Sequence, residues 1–159
     1  MTSLRHPRHL AVAALGLSLA LTGCSATNEI TTSVPYDPSD GLGLVIGDVE
    51  LANVLVLSVA EGAPGTILGS ATNRGPSPVE LTIGLGDGAD TTIALDGGAT
   101  VRLGPRDEPV DLEAVPAPPG AMVTVHIDSD AGGATTLDVP VLDGTLPEYA
   151  DLVPAADGA

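Results

Sequence analysis

The chain has 159 residues, 21 of them acidic and five basic, for a formal net charge of −16. That balance excludes a typical nucleic-acid binder, which needs a cationic face to displace counterions. A single Cys excludes an intramolecular disulfide and any zinc site built on two or four thiolates.

Residues 1–9 carry Arg5 and Arg8 and no acid, and the apolar run that follows, residues 10–21, is interrupted only by Gly16 and Ser18. A membrane-spanning helix needs roughly 20 residues, so this shorter run matches the apolar region of a secretory signal. It closes on Leu21-Thr22-Gly23-Cys24, which resembles the lipobox of bacterial lipoproteins. The resemblance implies a signal peptide over residues 1–23. The Cys24 sulfur would take a diacylglycerol, the chain would be cut before Cys24, and the new N-terminus would be acylated. The chemistry is consistent. A thiolate is the nucleophile for a thioether, and small residues before it leave an extended backbone open to a peptidase. Each buried CH₂ contributes roughly 0.8 kcal/mol, so two or three acyl chains hold far better than one. The expected location is the extracytoplasmic face of the cell membrane. All 21 acids follow Cys24, opposed there only by Arg74, Arg102 and Arg106. Anionic headgroups repel such a body, so it should stand off the bilayer. The composition, rich in Ala, Gly, Val and Asp and without Lys, resembles the proteome bias of a high-GC bacterium such as an actinomycete.

Residues 24–40 comprise the lipidated Cys and a polar stretch without apolar periodicity, expected to be a flexible tether on which Tyr36 docks back to the domain. Residues 41–145 carry a β pattern. Val54, Val56 and Ser58 alternate with Leu55, Leu57 and Val59, so both faces of that segment are apolar and the strand is central. Thr66, Leu68, Ser70 and Thr72 alternate with Ile67, Gly69 and Ala71. Val79, Leu81, Ile83 and Leu85 alternate with Glu80, Thr82 and Gly84, a half-buried strand. Short strands are expected at 91–95, 99–103 and 110–114. Val123, Val125 and Ile127 then alternate with Met122, Thr124, His126 and Asp128, and Leu137, Val139 and Val141 form the last inward set. Turn chemistry separates them at Asn73-Arg74-Gly75, residues 86–88, Asp96-Gly97-Gly98 and residues 130–133. Residues 107–120 hold four of the 14 Pro and read as a long loop with at most an edge strand. Seven or eight strands and no amphipathic helix predict an all-β, two-sheet Greek-key sandwich, immunoglobulin- or cupredoxin-like. Residues 146–159 read as a C-terminal extension, with one helical turn packing Tyr149 down.

Chemistry-bearing residues are few. Beyond the leader there is one His, His126, and one Met, Met122. Imidazole and thioether suggest a soft-metal site, and residues four apart on a strand share a face. At 3.3 Å per residue, however, they stand about 13 Å apart, too far to hold one ion without a bulge. Asp128, Asp130 and Gly132, like residues 86–90, resemble incomplete calcium loops but are also what tight turns require. There is no Lys, and Cys24 is the only Cys. No nucleophile–base pair stands out, so no catalytic residue and no cofactor beyond the Cys24 lipid are assigned.

Several segments carry a family resemblance. They are the lipobox, Gly47-Asp48-Val49-Glu50 leading into Asn53-Val54-Leu55-Val56, the run from Gly69 to Gly75, and Pro118-Pro119-Gly120 before a valine strand. Together they look like actinobacterial LpqE-type lipoproteins, similar to the PCu(A)C periplasmic copper-chaperone family. The resemblance implies a cupredoxin-like β-sandwich. Copper-binding members of that family use a His-Met pair, a distant Met and a His-x-Met. Met122 and His126 do not make that set, so no ligands are carried over. The expected function is a lipid-anchored, non-enzymatic binding or accessory module of the cell envelope, partnered by another envelope protein. Copper trafficking is the alternative.

Overall fold

A computed structural model describes residues 39–86 and 90–155. The lipobox, Cys24, Tyr36 and most of the tether lie outside the described residues. The alternating segments form strands: β1 (Leu42–Ile46), β2 (Val49–Ser58), β3 (Gly65–Asn73), β4 (Val79–Gly84), β5 (Thr91–Leu95), β6 (Thr100–Leu103), β7 (Asp111–Leu112), β8 (Met122–Ser129) and β9 (Gly133–Leu142). Among the described residues no helix is long and apolar enough to cross a membrane.

One layer is ordered β5-β4-β8-β9, all antiparallel. The other is built on the β2–β3 pair, with β1 on the outer edge of β2 and both β6 and β7 on the outer edge of β3. The chain crosses between layers after β3, β5 and β7, giving the expected Greek-key sandwich. The layers join where the end of β9 runs parallel to β2 at Val56↔Val141 and Leu57↔Leu142. Between them lies an aliphatic core that includes Val49, Leu51, Val54, Val56, Ile67, Leu81, Ile83, Ile127 and Val139.

A bulge in β2 decides which residues enter that core. The β2–β3 register slips by one between Ala52 and Leu55, and the β1–β2 register slips opposite it. Asn53 sits at the bulge with φ +53°, a conformation Asn tolerates better than most residues, and its Oδ1 accepts the Gly41 N–H at 2.8 Å. Facing it, Gly69 has φ +153°, and a Cβ there would lie 3.1 Å from the Ala52 carbonyl oxygen. The extra residue inverts the alternation. Val49 and Leu51 point inward before it, Val54 and Val56 after it. Leu55 and Leu57 are thereby turned to the outer face.

That outer face is covered. Leu55, Leu57 and Tyr149 are buried together against Leu68, Leu142, Leu152 and Val153. The covering segment makes helical-type bonds from Ala150 N–H to Leu146 C=O and from Val153 N–H to Tyr149 C=O, each 3.1 Å. The sequence shows β2 to be apolar on both faces, and the C-terminal segment is the reason.

Three details differ from the sequence reading. β7 has two residues rather than five, because the prolines after it cannot donate to a ladder. β9 begins four residues before Leu137, its small and polar start held by pairing with β8 rather than by burial. Asn73, expected in a turn, closes β3 and is fully buried.

Candidate functional site

β8 presents Val123, Val125 and Ile127 to the core and Met122, Thr124, His126 and Asp128 outward. Its registers with β4 and β9 contain no slip. The strand spacing therefore stands, and Met122 and His126 lie about 13 Å apart along one face.

Both nevertheless open onto one groove of about 610 Å³, lined on one side by Met122, Val123, Thr124 and His126 of β8 and by Leu85 at the end of β4. The far wall is the proline-rich segment from Asp111 to Ala117. That wall is pinned. β7 pairs with β3 through Leu112↔Gly65 and Asp111↔Thr66. The buried Val115 donates its N–H to Ala63 C=O at 2.9 Å and accepts the Gly62 N–H at 2.8 Å. Further on, Gly120 N–H reaches Val141 C=O at 2.8 Å. The His126 ring packs over Gly86, whose hypothetical Cβ would fall 3.0 Å from Nε2. Met122 is 53% exposed. Asp111 and Glu113 bring carboxylates, and among the described residues no Lys or Arg lines the groove.

The groove thus holds a thioether, an imidazole and two carboxylates among apolar residues. Among the described residues no three of His, Cys, Asp and Glu gather closely enough to hold a metal ion. The fit to a metal is therefore partial: the groove offers only one soft or borderline donor at any one point. In the acidic segments considered for calcium, two carboxylates accept main-chain hydrogen bonds. Asp130 Oδ1 accepts the Glu80 N–H at 3.1 Å and Asp90 Oδ1 accepts the Gly86 N–H at 3.4 Å. Sequence reasoning found Met122 and His126 but missed Asp111, Glu113 and the groove, because the crossing from β7 to β8 brings that segment alongside.

No family model matches the chain, and no curated protein does. Solved structures do match. A copper-bound PCuAC domain from PmoF2 aligns at 15% identity and TM-score 0.53, covering 64% of this chain and 98% of that one. The apo PCuAC domain from PmoF1 aligns at 14% identity and TM-score 0.51, covering 63% and 98%. The apo PmoF2 PCuAC domain aligns at 15% identity and TM-score 0.53, covering 66% and 98%. The shared feature is the fold. The class is therefore an all-β sandwich of PCuAC-like architecture.

Proposed function

We propose that the chain is a lipid-anchored, extracytoplasmic carrier of a soft cation, copper(I) first among them, held loosely in the β7–β8 groove and passed on to an envelope partner. One observation carries this reading. Met122 and His126, the one thioether and one imidazole of the described residues, open onto a single groove of a fold shared with a copper-bound domain. Thioethers select copper(I), and imidazole accepts it. Because the two donors stand about 13 Å apart, each ion meets one of them. The Asp111 or Glu113 carboxylate, water or a partner's donors supply the rest. So sparse a site releases its ion readily, as a carrier must. The anchor is the Cys24 lipid, and the role is non-enzymatic.

The test is titration of the full chain in detergent micelles with copper(I) against a competing chelator. The expected dissociation constant is about micromolar, and His126→Ala and Met122→Ala should each remove binding at its own donor, lowering the copper(I) taken up per chain. Copper(I) binding unchanged from the parent chain in both variants, or no binding by the parent chain, returns the groove to the second reading: a metal-free accessory module. The wide spacing of the donors is the observation that favours that alternative.

A further inference from the structure

β8 is flanked unequally. β9 pairs with it from Met122↔Pro140 to Ser129↔Gly133, whereas β4 pairs only with His126 through Ser129. Over Met122 to Val125, no strand among the described residues lies on the β4 side. Alternate residues of an antiparallel strand turn both N–H and C=O to the same neighbour. Asp130 N–H donates to Glu80 C=O at 3.3 Å, toward β4, while Val141 N–H donates to Ala121 C=O at 2.9 Å, from the β9 side. Both bonds give one parity: odd-numbered residues of β8 face β9, and Met122 and Thr124 offer their main-chain groups to the open side. That edge faces the groove. Leu85 at the end of β4 lines it beside β8, and across from it stand Leu112 as apolar lining and Asp111 and Glu113 as acids, on a wall fixed by Val115.

We propose that the groove binds an extended, basic segment of a partner protein, which adds to β8 as a strand beside Met122 to Val125. The edge, four residues long and without a strand partner on that side among the described residues, spans about 13 Å. It would supply the main-chain hydrogen bonds by which added strands gain affinity, while the flanking pockets select alternate side chains. Charge complementarity sets the sign of the partner, since two carboxylates line the groove with no countering cation among the described residues, on a chain of net charge −16. The proposal does not depend on a metal entering the same groove.

The test uses the isotope-labelled full chain in detergent micelles, with chelator present and metal absent. Three short capped peptides are titrated: one alternating Lys and Val, its Glu-Val counterpart, and the Lys-Val peptide with alternate amides N-methylated. The Lys-Val peptide should shift the amide signals of Met122 to Val125 and of Asp111 to Ala117, with binding that weakens as salt rises. The other two peptides should bind at least about tenfold more weakly, and Glu113→Lys should weaken the Lys-Val peptide several-fold, consistent with main-chain pairing and charge selection. Equal binding of the N-methylated or the acidic peptide overturns the proposal. So do shifts confined to other strands, or no binding at all. Shifts of the same amides on concentrating the chain alone would assign the edge to a second copy and overturn the basic partner.

Discussion

Asn73 shows how much one side chain can decide. Asn-Arg-Gly reads as a turn, and within it Asn73 is fully buried. Its Nδ2 donates to Ser77 C=O at 2.7 Å and Leu95 C=O at 3.0 Å, and its Oδ1 accepts the Gly75 N–H at 2.9 Å. It therefore ties the end of β3 in one layer to the end of β5 in the other. Asn73→Ala would leave these main-chain groups without partners and should cost about 2–4 kcal/mol, read as a lowered urea midpoint at unchanged slope. Tyr149 is the second such residue. Burial first, then its hydrogen bond to Asp40 Oδ2 at 2.8 Å and the negative charges of Asp40 and Glu148, push its phenol up to about 12 from an ordinary value of 10.0. Its contribution is complete below pH 10. As the pH rises toward 12 the unfolded chain gives up the proton before the folded one does, so stability falls. Tyr149→Phe should remove that alkaline loss, measured as the difference in urea midpoints between pH 9 and pH 11.5.

Among the elements, β2 and the C-terminal segment are coupled. The Asn53 bulge turns Leu55 and Leu57 outward, and Tyr149, Leu152 and Val153 then bury them. The segment is part of the folded domain in energetic terms, although its composition reads as an appendage. Ending the chain after Thr145 should expose both leucines, lower stability by about 3 kcal/mol or more, and raise the binding of an apolar fluorescent dye. An unchanged melting curve would show that the segment contributes nothing to β2. The tie between Glu50 and Arg74 is an element-level contact of another kind. Their ion pair lowers the Glu50 carboxyl below its usual range, chiefly through the side-chain hydrogen bond from Arg74. Both groups are open to water, where such pairs add little.

For the whole molecule, the proposed anchor and the proposed groove are separate devices, one at Cys24 and one on the sandwich. They are testable apart. Cys24→Ala should leave an uncleaved precursor or release the chain from membranes while the copper(I) affinity of the soluble form is unchanged, followed by fractionation and mass analysis. Membrane association undiminished in a correctly cleaved Cys24→Ala chain would remove the lipid anchor from the account. A body whose 21 acids all follow Cys24 is suited to standing clear of anionic headgroups and to drawing a cationic partner toward Asp111 and Glu113.

The sequence alone determined the fold class, because period-two alternation and turn residues are local properties that each strand carries in its own residues. It also determined that β2 is apolar on both sides and that Met122 and His126 share a face. Only the tertiary structure decided which leucines and valines of β2 enter the core, since a one-residue bulge inverts every position after it. Only the tertiary structure, too, brought Asp111 and Glu113 across from the open edge of β8. That juxtaposition arises from a crossing between layers, and a chain's pattern of neighbours in sequence carries no record of which strand ends where.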